Sequence, residues 1–402
     1  MIKQGKMKVS IVITSLVVLI FFLIVLELKT SSSTNPPPAT TSVDAATSTA
    51  EATTTLAPTS TTTPIVTIAP PKPPLNIGHA VGISSGGGLA KINVADMNQQ
   101  LDEMVALGAT WVRFDIEWGD VQYSSPDHST WTSYDTLVNA IAAHHLKGLG
   151  ILLFTPQWAR TASCGGGAKC PPANPAQFAT FAAEVAARYK GKVQAWEVWN
   201  EPNNYDFWAT KTDCNAYTTL LKATYPAIKK VDPNAIVVSG GLAPENTDNN
   251  NISQMDFLSC IYNDGGKNYF DAMGDHSYTF PVLPSSNSTN MWAQMSETSP
   301  SLRSIMVANG DANKKIWITE FGAPTNGPNP HWFVTEAGQA AMVTDAMNLY
   351  KTYNWAGPIF WYTLKDGGTS TSTQENFFGL IRADNALKPA YTTLQSVISS
   401  GL

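Results

Sequence analysis

The chain has few cysteines and no excess of basic residues. Of its 402 residues only four are cysteine, and 25 lysines and arginines stand against 31 aspartates and glutamates, for a net charge of −6. An acidic chain without basic stripes is not typical of a nucleic-acid-binding protein. The cysteines follow no zinc-ligand spacing, and no His/Asp cluster has metal-ligand spacing, so we expect neither a metal nor an organic cofactor. The glycine-rich stretch "GISSGGG" lacks the G-x-G-x-x-G order of a dinucleotide site.

The N-terminus carries a long apolar run. Lys3, Lys6 and Lys8 precede the run at residues 9–28, and about 20 residues is the length that spans a bilayer. Lysines on this side place the N-terminus in the cytoplasm and the rest of the chain outside. No small-x-small cleavage site follows at once, so residues 1–29 are predicted to form an uncleaved transmembrane signal-anchor. A cleaved signal peptide, which would release a secreted protein, is the alternative.

Residues 30–74 consist mainly of Thr, Ser, Ala and Pro. A segment with so few apolar residues cannot offset its ordering entropy and is predicted to be a disordered linker. The following domain would then lie outside the cytoplasm, where disulfides form. The four cysteines allow three pairings. The preferred one joins Cys164 to Cys170 around a short Gly-rich loop and Cys214 to Cys260 between neighbouring loops.

Residues 75–402 alternate between short apolar runs and amphipathic helical stretches. Eight runs have the length and composition of strands: "NIGHAVGI", "TWVRFDIEW", "LKGLGILLFTP", "VQAWEVWNE", "AIVVSGGLAP", "DAMGDHSY", "KIWITEFGAP" and "GPIFWYTL". Stretches such as "VADMNQQLDEMVALGA" and "EAGQAAMVTDAMNLYKTY" have apolar residues at helical spacing. Eight strand–helix units in one domain predict an α/β fold, the (β/α)8 or TIM barrel. An open, doubly wound sheet is the alternative.

Polar residues at the C-terminal ends of the strands are the candidates for an active site, because that end of a barrel carries it. They are His79, Arg113, Asp115, Glu117, Trp158, Asn200, Glu201, His276, Tyr278, Glu320 and Trp361. Two carboxylates close apolar strands: Glu201 ends the fourth run and Glu320 the seventh. These strands lie nearly opposite each other across a barrel, so both carboxylates point into one cavity. Paired carboxylates of this kind suit glycoside hydrolysis.

Several neighbouring residues have two interpretations. Glu197 lies four residues deeper than Glu201, where a carboxylate must be paired, so it is predicted to be structural with an Arg or Lys partner. Glu117 would bind a sugar hydroxyl or form a surface ion pair. His79 would contact sugar or be a satisfied loop histidine. Three tryptophans would line sugar subsites or pack in the core: Trp118, Trp158 and Trp208.

Two segments carry a family resemblance. "WEVWNEP" (196–202) and "WITEFG" (317–322) resemble the two signature strands of clan A glycoside hydrolases. With "WVRFDIEW" (111–118), the chain most resembles glycoside hydrolase family 39 and the cellulase-like family 5. The resemblance implies that Glu201 is the general acid/base and Glu320 the nucleophile of a retaining enzyme that needs no cofactor.

The same resemblance implies roles for five other residues. Asn200 would bind the sugar 2-hydroxyl, Arg113 would keep Glu320 ionised, and Tyr278, beside His276, would donate to the nucleophile. Trp361 would form the floor of the sugar site, with a cis peptide between residues 361 and 362.

We therefore expect a monomeric hydrolase, anchored to the membrane through its N-terminal helix, that cleaves an extracellular or cell-surface polysaccharide. The stretch "FGAPTNGPNP" resembles the cellulase-like and exopolysaccharide-degrading branch more than the xylosidases, where Asn commonly stands at the position of Gly322. No β-sandwich follows the barrel, and the rim is rich in tryptophan. Both features favour cleavage inside a polymer. A wall-glycan transglycosylase and a non-catalytic carbohydrate-binding protein are the alternatives.

Overall fold

A computed structural model describes residues 77–209, 211–286 and 288–401. The predicted transmembrane segment, 1–29, and the predicted linker, 30–74, lie outside the described residues. Within the described ranges, no helix is both long and apolar enough to cross a membrane.

Eight parallel strands close into a barrel in which each strand pairs with its neighbour in sequence and β1 pairs with β8. The strands are β1 Val81–Ser84, β2 Trp111–Glu117, β3 Lys147–Leu153, β4 Ala195–Val198, β5 Ile236–Ser239, β6 Ala272–His276, β7 Lys315–Phe321 and β8 Ala356–Tyr362. Every one of the eight apolar runs contributes one strand. The (β/α)8 barrel is therefore confirmed and the open sheet is excluded.

Helices form where the sequence has helical periodicity and capping residues. They are α1 Val94–Leu107, α2 Trp118–Val121, α3 Thr132–Ala143, α4 Pro175–Arg188, α5 Cys214–Val231, α6 Gln254–Asn263, α7 Met291–Ser296, α8 Leu302–Ala308, α9 Glu336–Tyr350 and α10 Pro389–Ser399. Helix α1 shows the local signals: the Asn93 side chain accepts from the Asp96 amide at its start, and Gly108 ends it with a φ of 91°.

Apolar side chains fill the lower part of the barrel interior. Trp111, Leu149, Trp317 and Phe360 are buried there in one cluster, and the Trp111 and Trp317 rings meet edge to face at 5.4 Å. Gly82 leaves room for this packing, since a Cβ on it would lie 2.5 Å from the Phe360 ring. A second and larger cluster packs the outer faces of the strands against the helices. The apolar interior ends below the C-terminal ends of the strands, where the inward positions become polar.

Of the two disulfides, one closes a loop and the other joins two helices. Cys164 pairs with Cys170 in the loop between β3 and α4. Cys214, the first residue of α5, pairs with Cys260 of α6. The preferred pairing of the four cysteines is thus confirmed.

Candidate active site

Glu320 faces the barrel interior because the pairing of β7 is irregular. Asp275 pairs with Ile318, but the next residue, His276, pairs with Glu320, so Thr319 is passed over. Adjacent strand residues normally point to opposite faces, and an extra residue breaks that alternation. As a result the Thr319 hydroxyl donates to a Glu197 oxygen at 3.2 Å, while Glu320 contacts Arg113. Both side chains therefore reach the cavity.

Glu201 reaches the same cavity through a strained turn after β4. The strand ends at Val198, and both Trp199 (φ 72°) and Glu201 (φ 44°) have left-handed backbones, which are costly for residues other than glycine. The Glu201 amide donates to the Gly241 carbonyl at 3.0 Å, which holds the turn against the end of β5. Strain of this kind persists where the surroundings impose it, commonly at functional sites.

The two carboxylates face each other with His276 between them. His276 Nδ1 lies 2.9 Å from Glu201 Oε1 and 3.7 Å from Glu320 Oε2, and one oxygen of each carboxylate lies within 4.8 Å of the other. Retaining glycosidases have carboxyl groups about 5–5.5 Å apart, and inverting ones about 6.5–9.5 Å apart. An oxygen–oxygen separation of at most 4.8 Å is shorter than the inverting range and is compatible with the retaining arrangement.

Glu320 is held by hydrogen bonds to both of its oxygens. Arg113 Nη1 donates to Oε1 at 2.5 Å, and the Tyr278 hydroxyl donates to Oε2 at 2.7 Å. Burial alone would raise the pKa of Glu320, but His276, Arg113 and Tyr278 together lower that pKa below its ordinary value. Glu320 is therefore kept ionised, which suits a nucleophile.

Arg113 organises the floor of the polar site. Its side chain is fully buried and donates to Glu197 through Nε at 2.7 Å and Nη2 at 3.2 Å. It also donates to Asn200 Oδ1 at 2.8 Å and to Ser84 Oγ at 3.1 Å. Glu197 and Glu320 raise the pKa of Arg113 against the effect of burial, so the guanidinium stays charged. The prediction that Glu197 is a structural carboxylate with an Arg or Lys partner is confirmed.

His276 and Asn204 hold Glu201. His276 is fully buried, and burial opposes its protonation, but Glu320 and Glu201 raise the pKa of its imidazole above the ordinary value. Asn204 Nδ2 donates to Glu201 Oε2 at 3.3 Å. Gly241 makes room for the imidazole, since a Cβ there would lie 2.2 Å from His276 Nε2. Each oxygen of Glu201 thus has a neighbour that orients it.

Glu201, His276 and Glu320 also have the composition of a metal-ligand set, because their ligand-type atoms lie within 4.8 Å of one another. Arg113 and Tyr278 already occupy both oxygens of Glu320, and Glu201 occupies His276 Nδ1. A buried guanidinium beside the set repels a cation. The arrangement suits an acid/base pair better than a metal centre.

The prediction that Trp361 forms the floor of the sugar site is wrong. Phe360 belongs to the interior cluster, so the alternation of β8 turns Trp361 outward, where it is 4% exposed and packs on Phe321 at 5.7 Å. It lines a small cavity with Val343 and Met347 of α9. The next inward position is Tyr362. The cis peptide also lies one residue later than expected, between Tyr362 and Thr363.

Of the three other tryptophans considered as sugar platforms, two lie in the core and one remains a candidate. Trp118 and Trp208 are 0% and 2% exposed, so they belong to the core and are not sugar platforms. Trp158 is half-buried, packs edge to face on Trp118 at 5.3 Å and donates from Nε1 to the Gln122 carbonyl. A sugar contact by Trp158 stays a prediction.

Glu117 and His79 both have protein partners. Glu117 lies at the end of β2 and forms an ion pair with Lys91 at 2.6 Å, so the ion-pair interpretation holds. A sugar contact by Glu117 stays a prediction. His79 precedes β1 at the N-terminal end of the barrel and bonds the Tyr353 carbonyl at 2.9 Å, away from the site.

Several site residues were missed by the sequence analysis. Tyr362 follows Trp361 directly, and its hydroxyl donates to Glu375 at 3.2 Å. Correct counting of the inward positions of β8 would have found it. Glu375 lies on the loop after β8 and has no sequence signal. Asp275, also within "DHSY", does not face the site. It is buried behind the strand, where it accepts from Gln254 and Ser277, and burial raises its pKa to about 7.

Comparisons with known proteins agree with this geometry. The sequence model of Glycosyl hydrolases family 39 matches residues 178–399, more than half of the chain, including Glu201 and Glu320. No curated protein matches the chain. A family 39 glycoside hydrolase from Bacteroides cellulosilyticus WH2 is 22% identical with a TM-score of 0.62, over 81% of this chain and 64% of that one. A GH39 β-xylosidase from Caulobacter crescentus is 19% identical with a TM-score of 0.61, over 82% and 73%.

A more distant structure has the same barrel. GH5_18 from Streptomyces cattleya, solved with GlcNAc, is 15% identical with a TM-score of 0.60, over 80% of each chain. Of the Bacteroides family 39 structure, by contrast, this chain spans less than two thirds of the length. At these identities the solved structures show the fold, and the sequence model shows the family. The chain belongs to glycosyl hydrolase family 39.

Proposed function

We propose that this protein is a retaining glycoside hydrolase that cleaves the O-glycosidic bonds of a polysaccharide by double displacement. The observation that carries the proposal is the facing pair of carboxylates, Glu201 and Glu320, with oxygens within 4.8 Å at the C-terminal end of the barrel. The hydrogen bonds of Arg113 and Tyr278 to Glu320 support an ionised nucleophile. In this proposal Glu201 is the acid/base.

In the first step a Glu320 oxygen attacks the anomeric carbon while the bond from that carbon to the leaving oxygen breaks. Glu201, protonated at this stage, gives its proton to the leaving oxygen. The products are a free alcohol and a glycosyl ester on Glu320. Asn200 Oδ1 accepts from Arg113 at 2.8 Å. Its amide nitrogen has no acceptor among the described residues and can donate to the sugar 2-hydroxyl.

In the second step Glu201 acts as a base. It takes a proton from a water molecule, whose oxygen attacks the anomeric carbon and displaces Glu320. Two inversions at one carbon give net retention. His276, at 2.9 Å, keeps Glu201 aimed at the site in both steps.

We also propose that cleavage is internal to a polymer. Two large aromatic side chains are exposed on loops that follow the catalytic strands: Tyr205, 43% exposed, after β4, and Trp332, 59% exposed, after β7. Exposed rings with an apolar face are suitable platforms for sugar rings. Platforms beside both catalytic strands would hold a chain that extends on either side of the cleaved bond.

The proposed location is outside the cytoplasm, with the barrel held at a membrane by the apolar run at 9–28. The two disulfides support an oxidising compartment. Cell fractionation tests this. The full chain should sediment with membranes, and a chain beginning at residue 75 should not. Equal recovery of both chains in the supernatant would contradict anchoring.

The catalytic assignment is tested with the full chain in detergent and a panel of neutral, amino-bearing and uronate-bearing polysaccharides. The wild type should shorten at least one polymer. Glu320→Ala should abolish activity, and Glu201→Gln should lower it by about 10²–10⁴-fold, the usual contribution of general acid–base catalysis. Glu297→Gln, an exposed residue at the end of α7, is the control.

Other outcomes identify the alternatives. Full activity in both active-site variants would contradict the assignment. Binding of a glycan without cleavage would support a carbohydrate-binding protein. Lengthened products in the presence of an acceptor sugar would support a transglycosylase.

A further inference from the structure

Asp115 is an unassigned carboxylate inside the candidate site. It lies on β2 between Arg113 and Glu117, at the inward positions of the strand, and is half-buried. Among the described residues no group donates a hydrogen bond to the Asp115 carboxylate. Gly87 leaves the space beside this carboxylate open, since a Cβ on Gly87 would lie 3.3 Å from Asp115 Oδ2. A half-buried carboxylate that no protein donor reaches keeps its acceptor capacity for a group bound in the site.

The cations around Asp115 are already engaged. Arg113 is taken by Glu197, Asn200 and Glu320. Lys91 is taken by Glu117 at 2.6 Å and by Asp120 at 3.3 Å.

Burial and neighbouring carboxylates disfavour the ionised form of Asp115. Burial raises the pKa of Asp115 to about 7, against the effect of Arg113, and the charges of Glu117 and Glu320 add to the rise. This side of the site therefore has more negative charge than its cations neutralise.

We propose that Asp115 is a specificity-determining residue: its carboxylate accepts a hydrogen bond from a hydroxyl or ammonium group of the sugar bound beside Glu320, and it excludes sugars that carry a carboxylate. Both accepted groups are donors and relieve the unpaired oxygen. A uronate would bring another negative charge next to Asp115, Glu117 and Glu320. The described cations beside them, Arg113 and Lys91, already have carboxylate partners. The inference rests on the proposed function, since it names the substrate class of the same site.

The test begins with the wild-type full chain. It is assayed on galactomannan and mixed-linkage β-glucan as neutral polymers, on chitosan as an amino-bearing polymer, and on alginate and polygalacturonate as uronates. We expect cleavage within the first two groups and none of the uronates. Comparable cleavage of a uronate polymer would overturn the inference, and this result does not depend on any variant.

The second measurement uses Asp115→Asn on the polymer that the wild type cleaves best. The amide keeps the size of the side chain and loses the charge. We expect kcat/KM to fall about 10- to 100-fold, the value of a hydrogen bond to a charged group, with the larger loss for an amino-bearing substrate. Asp102→Asn, on the outer face of α1 with its carboxylate 76% exposed, is the matched control.

The remaining outcomes separate the two proposals. Unchanged kcat/KM in folded Asp115→Asn would overturn the role of Asp115 and leave the glycosidase proposal intact. If the wild type cleaves none of the polymers, the proposed function fails, and the inference fails with it.

Discussion

Tyr278 is one of three groups that lower the pKa of Glu320, through its hydrogen bond of 2.7 Å. The nucleophile must be ionised, so activity is present above the pKa of Glu320 and is lost as the pH falls through it. Tyr278→Phe removes one of the groups that depress this pKa and should move the acid limb of kcat/KM to higher pH. A full pH profile measures the shift. Tyr123→Phe, at an 81% exposed position, should not move the limb. An unmoved limb in Tyr278→Phe would contradict the role.

Arg113 is as important for stability as for chemistry, because it is the partner of a fully buried Glu197. Removal of one member of a buried ion pair costs about 3–5 kcal/mol. Arg113→Met should therefore lower the free energy of unfolding by about that amount in urea denaturation. Adding Glu197→Leu to it removes the stranded charge and should restore much of the loss without restoring activity.

An exposed pair provides the comparison for this result. Arg188 and Asp135 are 40% and 35% exposed, and such surface pairs contribute about 1 kcal/mol or less. Arg188→Met should have a correspondingly small effect. If Arg188→Met and Arg113→Met lower the free energy of unfolding equally, the loss in Arg113→Met does not come from the burial of its ion pair.

At the scale of the element, the end of β5 fixes the position of His276. Gly241 has no side chain where a Cβ would lie 2.2 Å from His276 Nε2 and 2.5 Å from Thr319 Oγ1. Gly241→Ala should displace the imidazole from Glu201 and lower kcat, with a loss of about 1–3 kcal/mol of stability from overpacking. Gly165→Ala, at a position with open space, is the control. Unchanged kcat in Gly241→Ala would contradict the packing argument.

The sequence predicts the strands well because each carries its own local signal. A strand buried on both faces has a largely apolar run. Glu201 lies three residues after the end of β4, and Glu320 is the last residue but one of β7. It is harder to predict which residues of a strand point into the barrel and which point outward. Simple alternation along β8 turns Trp361 outward and Tyr362 inward, whereas the family resemblance implied that Trp361 lies in the site.

The irregular backbone of the site could not be predicted from the sequence. In β7 the skipped pairing at Thr319 turns two consecutive residues inward, and after β4 two left-handed residues redirect the chain. Both depend on tertiary packing, such as the contact of Glu201 with Gly241, and not on local propensity. The partners of buried charges also depend on the tertiary structure. The sequence predicts that Glu197 needs a cation, but only the closed barrel identifies this cation as Arg113.

At the scale of the whole molecule, the two disulfides should contribute unequally. The Cys214–Cys260 link closes 46 residues of chain and the Cys164–Cys170 link closes 6. Loop-closure entropy predicts about 4 kcal/mol for the long loop and about 2 kcal/mol for the short one. Cys214→Ser with Cys260→Ser should thus lower the urea midpoint more than the Cys164→Ser, Cys170→Ser pair. The reverse order would contradict this ranking.

The central claim is that Glu201 and Glu320 act as a retaining pair, and the configuration of the first product tests it most directly. Proton NMR of the anomeric hydrogen, recorded on the polymer cleaved best before mutarotation intervenes, identifies that configuration. We predict that the new reducing end first appears with the anomeric configuration of the bond that was cleaved. A first product of opposite configuration would mean direct attack by water and would contradict the role of Glu320 as nucleophile.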